Sequence, residues 1–186
     1  MTRHILPVLV AASLFAAGLA LAQAPAANPK VLLKTSMGDI TLELYPAKAP
    51  ITVKNILGYV EAKHYDGLIF HRVIPNFMIQ TGGLTADMRE KAANAPIKNE
   101  SGNGLKNARG SVAMARTNDL DSATCQFFIN LVDNFRLDDA KYCAFGKVVA
   151  GMDVVDKIAA VQTGSKRGHG DVPLEPITIL SATVVK

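Results

Sequence analysis

The chain has 186 residues, 49% of them apolar and only 19% charged, which suits one globular domain with something appended. Its net charge of +4 falls to +3 if a leader carrying Arg3 is removed, with 19 basic residues then facing 16 acidic ones. So small and dispersed a balance argues against a nucleic-acid partner.

The appendage comes first. "MTRHILPVLVAASLFAAGLALAQA" has a basic start at Arg3, an apolar run from Ile5 to Ala22, and small residues at Ala22 and Ala24 in an A-x-A arrangement. That is the layout of a secretory signal peptide, and residues 1–24 are read as one, with cleavage after Ala24 or alternatively after Ala22. An uncleaved anchor is the competing reading, because about 18 apolar residues reach the lower edge of spanning length. No cysteine follows the run, so no lipid attachment is suggested. Residues 25–29 make a short leader, and residues 30–186 form the folded domain.

Within that domain, "VLLKTSMGDITLELY" reads as two strands about a turn at Met37, Gly38 and Asp39. "APITVKNILGYVEAKHY" follows with Pro50 near its start and Val53, Ile56, Leu57 and Val60 at i, i+3, i+4 and i+7, which predicts an amphipathic helix. Short apolar segments come next: "GLIFHRVI", "NFMIQT", "GSVAMAR", "CQFFINLV", "YCAFGKVV" and "PITILSATVV". Separated by loops of Gly, Asn, Asp and Pro, they predict a sandwich or barrel. Residues 84–109 lack periodicity and read as a surface excursion. "GMDVVDKIAAV" predicts a second helix, with Met152, Val155, Ile158 and Ala159 on one face.

Most catalytic devices are missing from the sequence: no G-x-S-x-G elbow, no Gly-rich phosphate loop, no H-E-x-x-H pair. His64, His71 and His169 are too scattered for a local metal motif, so neither a metal nor a cofactor is expected. Asp138 and Asp139 sit in a turn context and read as capping groups. Cys125 and Cys143 lie in or beside strand-like segments, where they are either a disulfide or two buried thiols. Arg72, in "FHRVI", is the residue without an ordinary place. Strand alternation puts it on one face with Phe70 and Ile74, and His71 with Val73 on the other. It is either a structural arginine whose stem lies on apolar surface or the cation of an apolar pocket that Phe77, Met78 and Phe128 would line with Gln80 and Gln126.

"FHRVIPNFMIQTGG", "KNARGSVAMART", "SATCQFFINL", "FGKVVAGMDVVDKI" and "DVPLEPITI" occur in one order, and together they resemble the cyclophilins, the cyclosporin-sensitive peptidyl-prolyl cis-trans isomerases. The likeness runs from residue 29 to residue 186 and is strongest to bacterial members. It implies an all-β-dominated fold, a closed eight-stranded antiparallel β-barrel capped by two α-helices. It also implies an enzyme that accelerates rotation about X-Pro bonds and assists protein folding, with proline-containing peptides and unfolded or partly folded exported proteins as partners. The leader then points to a monomer in the periplasm.

By the same resemblance Arg72 falls on the catalytic arginine, His71 on its neighbour, and Gln80 and Gln126 on the glutamines that position the arginine and the substrate backbone. Phe77, Met78, Phe128 and Leu137 fall on the walls of the proline pocket, Ala115 and Arg116 on the strand that pairs with the peptide, and Tyr142 on the pocket rim. One departure is plain: in "DNFRLDD" Arg136 directly precedes the leucine, where the family often has Trp or Phe, and Phe135 stands one place earlier. Strong cyclosporin binding is therefore not expected. A non-catalytic module that grips proline segments stands as the alternative to an isomerase.

Overall fold

The computed structural model describes Met1 and residues 27–185; the predicted signal peptide after Met1 and the first two residues of the leader lie outside the described residues. Eight strands make one antiparallel sheet: β1 (Lys30–Thr35), β2 (Gly38–Leu44), β3 (Arg72–Ile74), β4 (Met78–Thr81), β5 (Ser111–Met114), β6 (Phe127–Asn130), β7 (Ala144–Ala150) and β10 (Ile179–Val185). Their order is β10-β1-β2-β7-β5-β6-β4-β3. The sheet curls until its two ends face each other, yet β10 and β3 share no ladder. The seam is held instead by residues just before each strand, through an isolated bridge between Ile69 and Thr178 and backbone bonds Phe70 N–H to Ile177 O (2.9 Å) and Ile179 N–H to Leu68 O (2.8 Å). The expected closed barrel is thus a curled sheet with a stitched seam, because the chain at Phe70 and His71 leaves strand geometry before β3 begins.

Register decides which side chains face in. Val73, Ile79, Ile129 and Val112 are successive cross-strand partners on β3, β4, β6 and β5, and all four are fully buried in the main core. Neighbours alternate to the opposite face, so Arg72, Gln80, Phe128 and Ala113 form the adjacent outward row. A second, smaller apolar cluster of Met78, Ala113, Phe128, Leu137 and Ala144 builds up on that outer face.

Two helices pack on the sheet as the periodicity predicts. In α1 (Pro50–Glu61) Val53, Ile56, Tyr59 and Val60 are buried, and in α3 (Met152–Ala159) Val154, Val155 and Ile158 are. Helix α1 carries no side-chain cap of its own; Pro50 opens it, and the carboxylate of Glu100 accepts from the N–H groups of Ile51 (3.0 Å) and Thr52 (2.8 Å). The aperiodic excursion therefore satisfies a helix end from 48 residues away in sequence. Glycine is required at position 151, where φ is +87° and a Cβ would stand 2.2 Å from the carbonyl oxygen of Asp39.

Two elements were not anticipated. One is a single-turn helix, α2 (Arg136–Asp139), in the segment read as a turn. The other is a separate ribbon of β8 (Thr163–Lys166) and β9 (His169–Pro173), with β9 lying against β3. Cys125 and Cys143 are buried free thiols, and burial raises the pKa of each. Among the described residues no helix is long and apolar enough to cross a membrane.

Candidate active site

Three residues of the outward row, Arg72, Gln80 and Phe128, line a cavity of about 350 Å³. Phe77, Met78, Phe128 and Leu137 supply its apolar walls, while Arg72, Gln80, Ala115, Arg116 and Tyr142 stand at its edges. Met78 and Phe128 are 2% and 4% exposed, so the walls are also core and their positions are fixed by packing. The Phe128 and Tyr142 rings meet edge to face at 5.9 Å. Nine residues singled out in the sequence thus converge here from β3, β4, β6, the end of β5, and the segment around α2.

Phe77 comes from the β3–β4 turn and Leu137 from the single-turn helix α2, and a buried amide relay holds them. Asn134 Nδ2 donates to Phe77 O and to Asn130 Oδ1, each at 2.8 Å, and Asn130 Nδ2 donates to Ser111 Oγ (2.8 Å) and Asn107 Oδ1 (3.1 Å). Asn107 in turn donates from its backbone N–H and from Nδ2 to Asp138 Oδ1, at 2.9 and 2.8 Å. Asp138 thus braces a distant loop and does not cap its own turn, unlike the capping role read from the sequence. The three asparagines escaped sequence reasoning, since an Asn near a loop ordinarily signals only a turn.

Arg72 is positioned differently from the expectation. Gln80 is its cross-strand partner, but the Gln80 amide donates to Gln126 Oε1 at 2.9 Å. The recorded partner of Arg72 is Asp171 of β9, with Nε 3.6 Å from Oδ2 and the two side chains 44% and 48% exposed. Phe70 does not share the arginine's face either: it is fully buried in the main core with Val73, because the bend at His71 resets the alternation. Asp171 was not found because it lies 99 positions away on an unpredicted ribbon, and its left-handed backbone (φ +59°) left no trace in the pattern.

His71 does not line the first cavity. It lines a neighbouring one of about 410 Å³, shared with Arg72, Gln80, Gln126, His169 and Asp171. It is 5% exposed, and among the described residues its Nδ1 has no hydrogen-bond partner. Burial, with the nearby His169 and Arg72 charges, lowers its pKa to about 4, so near neutral pH the ring is uncharged. A third cavity of about 200 Å³ runs along residues 115–117 and meets the first at Gln80, Ala115 and Arg116. There the Ala115 N–H donates to Gln126 O (3.0 Å) and the Thr117 N–H to Ser122 Oγ (2.9 Å).

A family model described as "Cyclophilin type peptidyl-prolyl cis-trans isomerase/CLD" matches residues 30–184. The chain belongs to the cyclophilins. A peptidyl-prolyl cis-trans isomerase of Acinetobacter baylyi is 54% identical over 171 residues, covering 90% of this chain and 91% of that protein. Peptidyl-prolyl cis-trans isomerase B of Escherichia coli is 52% identical over 161 residues, covering 83% and 98%. Among solved structures, a Cryptosporidium parvum cyclophilin type isomerase in the presence of the dipeptide Ala-Pro aligns with a TM-score of 0.71 at 25% identity, covering 84% of this chain and 99% of that one. This cyclophilin is accordingly an enzyme of the peptidyl-prolyl isomerase class, and the alternative of a non-catalytic module is set aside.

Two consequences for the site follow from its geometry. Asp171→Asn is expected to lower kcat/KM by about 2- to 5-fold at low salt, because an ion pair this exposed is worth about 0.2–1 kcal/mol. The deficit should shrink in 1 M salt, where screening removes the same pair from the native enzyme; a deficit independent of salt would mean that Asp171 acts only on the fold of the ribbon. Gly83→Ala would put a Cβ 2.3 Å from Gln126 Nε2 and 2.6 Å from its Cδ. The glutamine must swing away and give up its bond to Gln80, so activity is expected to fall several-fold while stability, read by thermal denaturation, changes by about 1 kcal/mol.

Proposed function

We propose that Arg72 donates to the prolyl nitrogen as its lone pair leaves conjugation, so that the enzyme favours the twisted amide over both planar forms. The supporting observation is the position of a half-exposed guanidinium at the edge of a cavity whose walls are Phe77, Met78, Phe128 and Leu137. These four side chains grip the proline ring as a fixed point. The peptide lies as an added strand against residues 115–117, and the Arg116 backbone N–H holds the rotating carbonyl. Gln126, braced by Gln80, orients the substrate backbone.

No covalent bond is made in this scheme. The uncatalysed X-Pro bond takes tens to hundreds of seconds to rotate. Raising that to a turnover of about 10 per second needs roughly 5 kcal/mol of barrier lowering, within reach of one charged donor and a preorganised pocket. A relative solved in the presence of Ala-Pro supports a proline-containing ligand for this pocket.

The clients on this reading are exported proteins in the periplasm, reached through cleavage of residues 1–24; the support is the layout of "MTRHILPVLVAASLFAAGLALAQA" alone. Exchange spectroscopy on an X-Pro peptide with wild type and Arg72→Ala tests the chemistry. Equal acceleration by the two proteins would remove Arg72 from the mechanism. The N-terminal mass of exported protein tests the leader, and an intact Met1 would overturn the cleavage.

A further inference from the structure

Three guanidinium groups stand at or near the proline cavity, and among the described residues only that of Arg72 makes a salt bridge. Arg72 pairs with Asp171. Arg116 lies with Cζ 4.3 Å from the centroid of the Tyr142 ring and donates to backbone carbonyls, through Nη1 to Thr117 O (2.8 Å) and through Nη2 to Ala140 O, while its Nε–H is buried without a partner. Arg136 is exposed at the start of α2, with Cζ 5.1 Å from the centroid of the Phe77 ring. Among the described residues neither Arg116 nor Arg136 makes a salt bridge, and no acidic side chain lines the proline cavity or the groove that continues from it.

The two arginines stack on different aromatic residues of the cavity, Arg116 on Tyr142 and Arg136 on Phe77. Arg116 belongs to both the proline cavity and the groove along residues 115–117, so a chain leaving the pocket in that direction passes it. Arg136 sits over the Phe77 wall, outside the groove that Arg116 borders. Stacking on an aromatic face keeps a guanidinium planar and in place without consuming its charge, and its outer N–H groups stay available for a carboxylate.

We infer that Arg116 and Arg136 make this enzyme selective for prolines flanked by acidic residues, within two or three positions on either side. The inference rests on the prolyl ring occupying the cavity beside Arg72, and it adds the class of sequence that this pocket prefers. Cations at an exposed rim act mainly by steering and weak pairing, so the preference is modest and depends on salt.

The test is kcat/KM for paired peptides that differ only by Glu or Gln beside the X-Pro unit, measured by exchange spectroscopy at about 20 mM and about 500 mM salt. For wild type at low salt the Glu peptide is expected to be favoured about 3- to 5-fold, falling toward 1 at high salt. Arg136→Glu, an exposed change, should abolish or invert the ratio for the peptide with its acid on the Phe77 side. The ratio for the acid on the other side should respond to Arg116→Gln. A ratio of 1 at low salt, with the Gln peptide turned over normally, overturns the inference and leaves the isomerase intact. A ratio unchanged by Arg136→Glu overturns the role of Arg136. Undiminished turnover of both peptides by Arg72→Ala would instead overturn the placement of the ring.

Discussion

Arg72→Ala is expected to lower kcat for cis-trans exchange by about 10²- to 10³-fold while leaving KM within a few-fold of wild type, as when a single well-placed donor is removed from other preorganised sites. The split between the two constants is the informative part. Both planar isomers keep the prolyl nitrogen conjugated and a poor acceptor, so Arg72 has its partner only in the twisted state. Losing an interaction made only there lowers kcat and spares ground-state binding, which the apolar walls supply. Arg72→Lys keeps the charge but loses the planar fork, and should recover about one of the two or three lost powers of ten. If both variants raise KM and leave kcat alone, Arg72 is a binding residue and the electrophile lies elsewhere. Because Arg72 is exposed and pairs only with Asp171, its loss should cost less than about 1 kcal/mol of stability, so the measurement reads chemistry on a folded protein.

The order of elements was legible because apolar periodicity reports burial directly. The β1–β2 hairpin, both long helices and the barrel-like count of strands all follow from period-2 and period-3.6 patterns that the core enforces. From the residues alone the pocket walls were one of two open readings, and only the resemblance chose it and added Leu137, since Phe77, Met78 and Phe128 are ordinary apolar residues until register puts them on the outside of the sheet. What the pattern could not carry were contacts that leave no periodic mark. Glu100 caps a helix across a long loop, Asn107, Asn130 and Asn134 tie the pocket segments together, and Asp171 reaches Arg72 from a polar, glycine-rich ribbon with no apolar alternation. Each is a long-range polar pair, fixed by topology and invisible to a local window. The misassigned face of Phe70 has the same origin: a bend at His71, demanded by the seam, interrupts the alternation that the sequence suggests.

The second large effect concerns His71 and acid. Its folded-state pKa is about 4 against an ordinary value of 6.5, so between those values the unfolded chain binds a proton that the native ring refuses. The contribution to stability is therefore whole above about pH 6.5 and is lost as pH falls toward 4. The loss amounts to roughly 2 kcal/mol by pH 5 and about 3 kcal/mol by pH 4. Buried His64, whose pKa is also lowered by burial, acts in the same sense, and carboxylates take over below. Urea denaturation at pH 7.5 and pH 5 should show the difference, and His71→Asn should remove about 2 kcal/mol of it whatever that substitution does to stability at pH 7.5. NMR titration of the wild-type ring gives an independent reading; a midpoint near 6.5 would sink the account. The cavity that His71 shares with Arg72 also contains His169, Glu90 and Asp171, so charge of both signs surrounds the ring, and burial leads in keeping it neutral. An imidazolium there would place a second cation beside Arg72 and compete for Asp171. A neutral His71 leaves the guanidinium as the charge that its ion pair orients and that the twisted amide meets, so the acid limb of kcat/KM should begin where His71 protonates, below about pH 5, before the protein unfolds.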